Sequence, residues 1–380
     1  MKNKKTIQIS QPVLGEEEWN ACREPLFSGW VTQGPKVKEF EKKFAELHGV
    51  SYAHAVSNCT TALHLALLAV GVGEGDEVIV PAFTWVSTAN AVLYCNAKPV
   101  FVDIDPHTFN LDVQKLAGKI NAKTKAILPV HLFGLCADMD AIRKIAPGIP
   151  LVEDGACAAG AMYRGKMAGS LGDVGCFSFH PRKSITTGEG GMITTNNPEI
   201  SQKVDMLRNH GASVSEEQRH KGPRPYILPE FSVMGFNYRM TDLQGAVGLI
   251  QVQKMNRFIE ERNTWAQWYI KELKSVSWLR LPVYGDDYKH GWQSFVTLVD
   301  PQKAPMPRND IMEKLQQAGI STRPGTHAVH MLEFYAKKYN LKPEDFPGAK
   351  LANDQSMAIP LHNRMSADDF AYVVETLKTI

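Results

Sequence analysis

Ser178-Phe-His-Pro-Arg-Lys183-Ser-Ile-Thr-Thr-Gly-Glu-Gly-Gly191 is the stretch that decides how this chain folds. The apolar run over 174–179 reads as a short buried strand, and the turn-forming residues over 186–191 precede apolar Met192 and Ile193. Lys183 is therefore expected on a loop between two strands, where its side chain can face a cleft. Alone, a loop lysine is a solvated cation. Its neighbours decide whether it is more.

Working outward, apolar β-branched runs recur at 77–80, 99–102, 125–130 and 150–152, separated by patterns that predict helices over 61–70, 86–93, 113–120 and 139–146. Such alternation argues for an α/β fold with a mainly parallel sheet covered by helices. A Ser/Asn/Cys/Thr cluster before residue 61 can cap the first of these helices. Beyond residue 240 the pattern changes to a long connecting helix over 241–274. Strands are then expected at 278–281, 294–299 and 320–323, and helices at 308–318 and 367–378. The expected organisation is a large unit over 1–255 and a smaller α+β unit over 256–380. A polar, proline-containing loop is expected over 213–229, and loops of that length often approach a site.

Composition narrows the partners. With 380 residues there is length for two cores, and 22% charged and 44% apolar residues are ordinary soluble usage. A formal net charge of +2 gives no electrostatic case for nucleic acid or a membrane surface. The six cysteines, Cys22, Cys59, Cys95, Cys136, Cys157 and Cys176, lack metal-ligand spacing, so no metal is expected and free thiols in a reducing cytoplasm fit best. The basic start lacks the apolar stretch of an export signal, and the apolar run over 62–72 falls far short of the ~20 residues that span a bilayer.

An aldehyde cofactor such as pyridoxal 5'-phosphate needs an amine to form an imine, an anion at its ring nitrogen, a cover for the ring and a cup for the phosphate. Lys183 supplies the amine. Asp154 closes a strand at the edge where open α/β sheets bind ligands, and its carboxylate can keep a pyridinium protonated. Trp85 follows another strand and can cover the ring, with Phe83 a competitor for that place. Cys59, Thr60 and Thr61 lie at a helix start, where free N–H groups favour an anion and Thr60 is the preferred side-chain donor. Ser178 can add a hydroxyl.

Together, Asp76-Glu-Val-Ile-Val-Pro81, Glu153-Asp154, Gly172-Asp-Val-Gly-Cys-Phe-Ser-Phe-His180, Lys183 and Thr187-Gly-Glu-Gly-Gly191 resemble the DegT/DnrJ/EryC1/StrS sugar aminotransferases. The likeness runs from Gly29-Trp-Val-Thr-Gln33 through Asn237-Tyr-Arg239-Met-Thr241 into the C-terminal part. It implies an aspartate-aminotransferase-like (type I) fold, with Lys183 as the imine lysine, Asp154 at the pyridine nitrogen, Trp85 on the ring, and Thr60 and Ser178 at the phosphate. It further implies that Asn237 reaches the phosphate site of a second subunit, making a homodimer with shared active sites. The implied activity moves an amino group, by resemblance from L-glutamate, to a keto-sugar, mostly one carried on a nucleotide diphosphate, in lipopolysaccharide or related amino-sugar pathways. A free keto-sugar acid is the alternative acceptor, and a non-catalytic regulator that binds the cofactor is the alternative from another class.

Two departures stand out. Cys157 occupies a position where relatives carry Gln, His or Glu in contact with the ring hydroxyl, and a thiol is a weaker donor. The segment over 322–330, with Arg323, His327 and His330, replaces a His-Tyr pair and a Pro-Leu-His and is expected to border the substrate. Arg239, Lys166 and Arg182 are further candidates for substrate phosphates or a carboxylate.

Overall fold

Residues 78–80, Val-Ile-Val, are wholly buried, and this double-sided burial is what a β-branched run in a central parallel strand requires. They belong to the strand Glu77–Pro81, which pairs in parallel with Lys98–Val102 on one side and Thr124–Ile127 on the other. Single parallel bridges, Ile127 with Leu151 and Val130 with Asp154, continue the sheet into Val152–Asp154. That strand runs parallel to Val174–Ser178. Gly191–Thr195 is antiparallel to both its neighbours, Val174–Ser178 and Tyr52–Val56. The computed structural model describes residues 6–214, 220, 222–224 and 226–380.

Helices cover this sheet as the caps direct. Asn58 accepts from the Thr61 amide at 2.9 Å and starts the helix Cys59–Ala69, whose residues 62–67 are buried on every face. Such a helix belongs inside the molecule. Thr241 forms a capping box with Gln244 and starts the 32-residue helix Asp242–Leu273. This helix passes through position 255 without interruption. Its later part joins Trp292, Phe295, Phe370 and Leu377 in a separate core around the antiparallel strands Leu279–Arg280, Phe295–Val299 and Ser356–Ile359. Ile7 enters the same core, tied by its amide to Gly319 and by its carbonyl to the Ser321 amide.

Three expectations change. The segment over 113–120 forms two short 3-10 turns, Val113–Lys115 and Ala117–Lys119, because Asp112 caps only a tight turn and Gly118 weakens helix propagation. The segment over 320–323 makes isolated bridges from Ile320 to Ile7 and from Arg323 to Ala358 instead of a strand. The run over 125–130 leaves regular pairing after Ile127. The loop expected over 213–229 lies partly outside the described residues. Among the described residues no helix is long and apolar enough to cross a membrane.

Candidate active site

The parallel strands end along one edge, and Asp154 ends the strand Val152–Asp154 there. Its carboxylate is buried, with Oδ2 accepting from the Thr88 hydroxyl at 2.8 Å and Oδ1 from the Ala156 amide at 3.1 Å. Thr88 lies in the first turn of the helix Ser87–Tyr94, and its hydroxyl also meets that of Thr84 at 2.9 Å. Burial pushes the Asp154 carboxyl up; Thr88, the Ala156 amide and the charge of Lys183 pull the other way. The strand end is braced from beneath. His131 donates its amide to the Asp154 carbonyl at 3.0 Å, and its Nδ1 accepts from the Ala137 amide, so Nε2 donates to Glu153 at 2.8 Å. Glu153 also accepts from the amides of Gly169, Leu171 and Gly172.

Lys183 lies on the loop between Val174–Ser178 and Gly191–Thr195. Its amide donates to the His180 carbonyl at 2.9 Å, the Arg182 amide donates to His180 Nδ1 at 3.2 Å, and Gln293 donates to the Arg182 carbonyl at 2.8 Å. These bonds fix the backbone and leave the long side chain to reach across the strand ends. Its Nζ is 3.2 Å from Cys157 Sγ. Arg182 and Arg323 add positive charge here: burial lowers the His180 imidazole, Glu189 raises it, and Lys183, Arg182 and Arg323 lower it further. Burial likewise pulls the Arg323 guanidinium down, and its buried Nε has no hydrogen-bond partner. Such an unpartnered donor is costly unless a ligand satisfies it.

The helix start of Cys59–Ala69 sits beside these groups. A Cβ added at Gly191 would lie 2.5 Å from the Asn58 carbonyl carbon and 2.9 Å from the Cys59 amide, so the strand and the helix start meet backbone to backbone. Thr60 is half-buried in the first helical turn, whereas Cys59 is buried, and burial with Asp154 nearby raises its thiol far up. Ser178 accepts at its Oγ from the His180 amide at 3.4 Å. Across the site Trp85 is 60% exposed, and its ring lies 5.5 Å from that of His327, which pairs with Thr84. Phe83, the competitor for the ring cover, is wholly buried against Phe109 and Phe133, whereas Trp85 is exposed.

The remaining candidates separate. Asn237 is exposed and bridges Asn209; Arg239 donates to Asn209 Oδ1 at 2.7 Å and bridges Val56, next to the helix start. Lys166 is exposed on the hairpin formed by Met162–Tyr163 and Lys166–Met167. His330 is fully buried, with Nε2 3.3 Å from the Pro343 carbonyl, its ring against Phe346 and its Nδ1 without a hydrogen-bond partner, so it does not line an open surface of the site as expected. Thr88 and His131 were missed. Thr84 and Thr88, four residues apart across a helix start, were the available signal for the first; the second needs the fold to bring 131 beneath 153 and 154.

A model of the DegT/DnrJ/EryC1/StrS aminotransferase family matches residues 12–378. The chain is 38% identical to the spore coat polysaccharide biosynthesis protein SpsC of Bacillus subtilis, covering 98% of this chain and 97% of that protein. It is 39% identical to GDP-perosamine synthase of Caulobacter vibrioides, covering 98% of each. Among solved structures, the Streptococcus pneumoniae protein Spr1654 in its PLP-form superimposes with a TM-score of 0.90 at 28% identity, covering 98% of both chains.

Proposed function

The chain belongs to the DegT/DnrJ/EryC1/StrS aminotransferase family, and from that premise we propose that it passes the amino group of L-glutamate to a keto-sugar carried on a nucleoside diphosphate, in the building of a surface polysaccharide or lipopolysaccharide. It is a sugar aminotransferase of type I fold that uses pyridoxal 5'-phosphate. One relative is named for a GDP-linked amino sugar, which supports a nucleotide-linked acceptor. When bound, the cofactor supplies an electron sink that makes the donor's α-hydrogen acidic and carries nitrogen between the two half-reactions.

The observation that carries the residue assignment is the meeting, at one sheet edge, of the Lys183 amine, the buried Asp154 carboxylate and the exposed Trp85 indole. These residues fit the cofactor's demands. Asp154, oriented by Thr88 and the Ala156 amide, holds a proton at the ring nitrogen. Trp85 covers the ring. The helix start at Cys59, with Thr60 and Ser178, receives the phosphate through N–H and hydroxyl donors. Lys183 holds the cofactor and, once released, moves a proton at the donor's Cα. Arg323, whose buried Nε lacks a partner and which lies beside Arg182, takes an anionic group of a substrate. Asn237 and Arg239 serve the phosphate and substrate of a second copy, and exposed Leu228, Phe231 and Met234 beside them support a homodimer.

Borohydride reduction of the holoenzyme should fix the cofactor to the Lys183 peptide, and Lys183→Ala should abolish both that adduct and turnover with glutamate across a panel of keto-sugars. Full activity in Lys183→Ala removes the lysine assignment; activity confined to free keto-sugar acids removes the nucleotide-linked acceptor.

A further inference from the structure

The amine of Lys183 has an unexpected resting place. Asp154 takes hydrogen bonds from Thr88 at Oδ2 and from the Ala156 amide at Oδ1. The lysine donates to Cys157 Sγ at 3.2 Å. Both ends of that contact stand on braced turns. On the cysteine side, the Gly155 amide donates to the Cys176 carbonyl and the Ala158 amide to the Gly155 carbonyl, each at 2.8 Å, while a Cβ at Gly155 would meet the Phe177 ring at 3.0 Å. On the lysine side, the His180 and Gln293 bonds hold the loop. The sulfur therefore has a fixed position, and the flexible lysine stem comes to it.

Resting on the assignment of Lys183 above, we infer that Cys157 is a positioning residue that parks the Lys183 amine whenever it is not joined to the cofactor, keeping it poised for recapture. A lysine side chain has four carbons of rotational freedom, and an amine without an acceptor spends much of its time away from the reacting carbon. Thiol sulfur suits the task because it accepts weakly. It restricts the amine without trapping it, whereas a free carboxylate in the same place would hold an ammonium by charge as well as by hydrogen bonding. The role differs from the ring-hydroxyl contact expected from the family resemblance, since it acts on the lysine and not on the cofactor.

The test uses full-length protein stripped of its cofactor by dialysis. Pyridoxal 5'-phosphate is added, and the growth of the lysine-linked absorption is followed by stopped flow. Binding of pyridoxamine 5'-phosphate, which has no aldehyde for the lysine, is measured in parallel. Cys157→Ala should slow capture about three- to tenfold, the span expected for one net hydrogen bond, while Cys157→Ser, which restores an acceptor, should stay within about twofold of wild type. Affinity for pyridoxamine 5'-phosphate should be unchanged in both. Cys157→Val, which removes the acceptor without opening a cavity, replaces the alanine variant if that protein does not fold. Capture by Cys157→Ala or Cys157→Val at the wild-type rate overturns the inference, as does a matching loss of pyridoxamine 5'-phosphate affinity, which would place the sulfur's effect on the pocket. Absence of a borohydride-fixed Lys183 adduct in the wild type is a different failure, because it removes the lysine assignment itself.

Discussion

Replacing Thr88 by valine tests whether Asp154 is held for chemistry or merely buried. The substitution keeps the branched shape and removes one hydroxyl. That hydroxyl donates to Asp154 Oδ2 at 2.8 Å and meets Thr84 Oγ1 at 2.9 Å, and all three side chains are buried. A hydrogen bond to a charged group is worth about 1.5–3 kcal/mol, and leaving the Thr84 hydroxyl unpaired costs roughly 1 kcal/mol more. The expected loss is thus about 2.5–4 kcal/mol. Unfolding entropy of roughly 2.1 cal/mol/K per residue gives about 0.8 kcal/mol/K for a chain of 380 residues, so the Tm should fall by about 3–5 °C. Turnover should fall about tenfold, equivalent to ~1.4 kcal/mol of barrier, because the carboxylate loses one of its two orienting donors. Scanning calorimetry and glutamate half-reaction kinetics measure the two effects. Thr88→Ser keeps the hydroxyl and loses a methyl, so it should retain most of the turnover while giving up some packing. A valine variant with unchanged Tm and turnover, or a serine variant as slow as valine, would refute the reasoning.

Two further perturbations reach other parts of the site and its support. Gly191→Ala drives a Cβ to 2.5 Å from the Asn58 carbonyl carbon and oxygen, and since backbone must move, it should cost about 1–3 kcal/mol in stability. The same displaced helix start should weaken pyridoxamine 5'-phosphate binding about tenfold, equivalent to ~1.4 kcal/mol; Gly118→Ala, where a Cβ meets nothing within 4 Å, is the control, and equal affinity in both variants argues against a phosphate cup there. His48 is buried against Phe44 and Phe177, its Nε2 has no partner, and burial holds its imidazole down at about 4 against an ordinary 6.5. Because the folded state prefers neutral His48, its contribution to stability is complete above pH 6.5 and is lost as pH falls from 6.5 toward 4, reaching about 2 kcal/mol at pH 5. His48→Phe should flatten that acid limb in urea titrations at pH 7 and pH 5 by about that amount, and an identical pH slope in the two proteins would exclude His48 as its source.

How much of this was legible in the chain depends on how local each cause is. The strand Glu77–Pro81 could be read because double-sided burial writes itself as an unbroken β-branched run. The long helix could be read to within a residue because Thr241 caps it through its own neighbour Gln244. Lys183 could be placed on its loop because a buried strand and a glycine-rich turn flank it in sequence. The burial of His330 was hidden for the opposite reason: it is decided by Pro343 and Phe346, which fold over it from a separate segment. The bridges at Ile320 and Arg323 depend on Ile7 and Ala358, partners no local pattern names. The contact of Lys183 with Cys157 was hidden too, since no local pattern in the sequence brings residue 183 to residue 157.

The antiparallel strand explains why the stretch from 178 to 191 carries so much of the site. Had Gly191–Thr195 run parallel to Val174–Ser178, the chain would have needed a crossover between them, and Lys183 would have lain on a long connection far from the strand ends. The reversal lets a short loop turn over that edge, so one segment brings Ser178, His180, Lys183 and Gly191 to the same place. The reversal also pairs Gly191 with Val56, at the end of the strand that leads into the Cys59 helix, and so sets the two backbones together. The glycine is then a requirement of topology, because any side chain there would push the helix start at Cys59 away from the strand that follows the Lys183 loop.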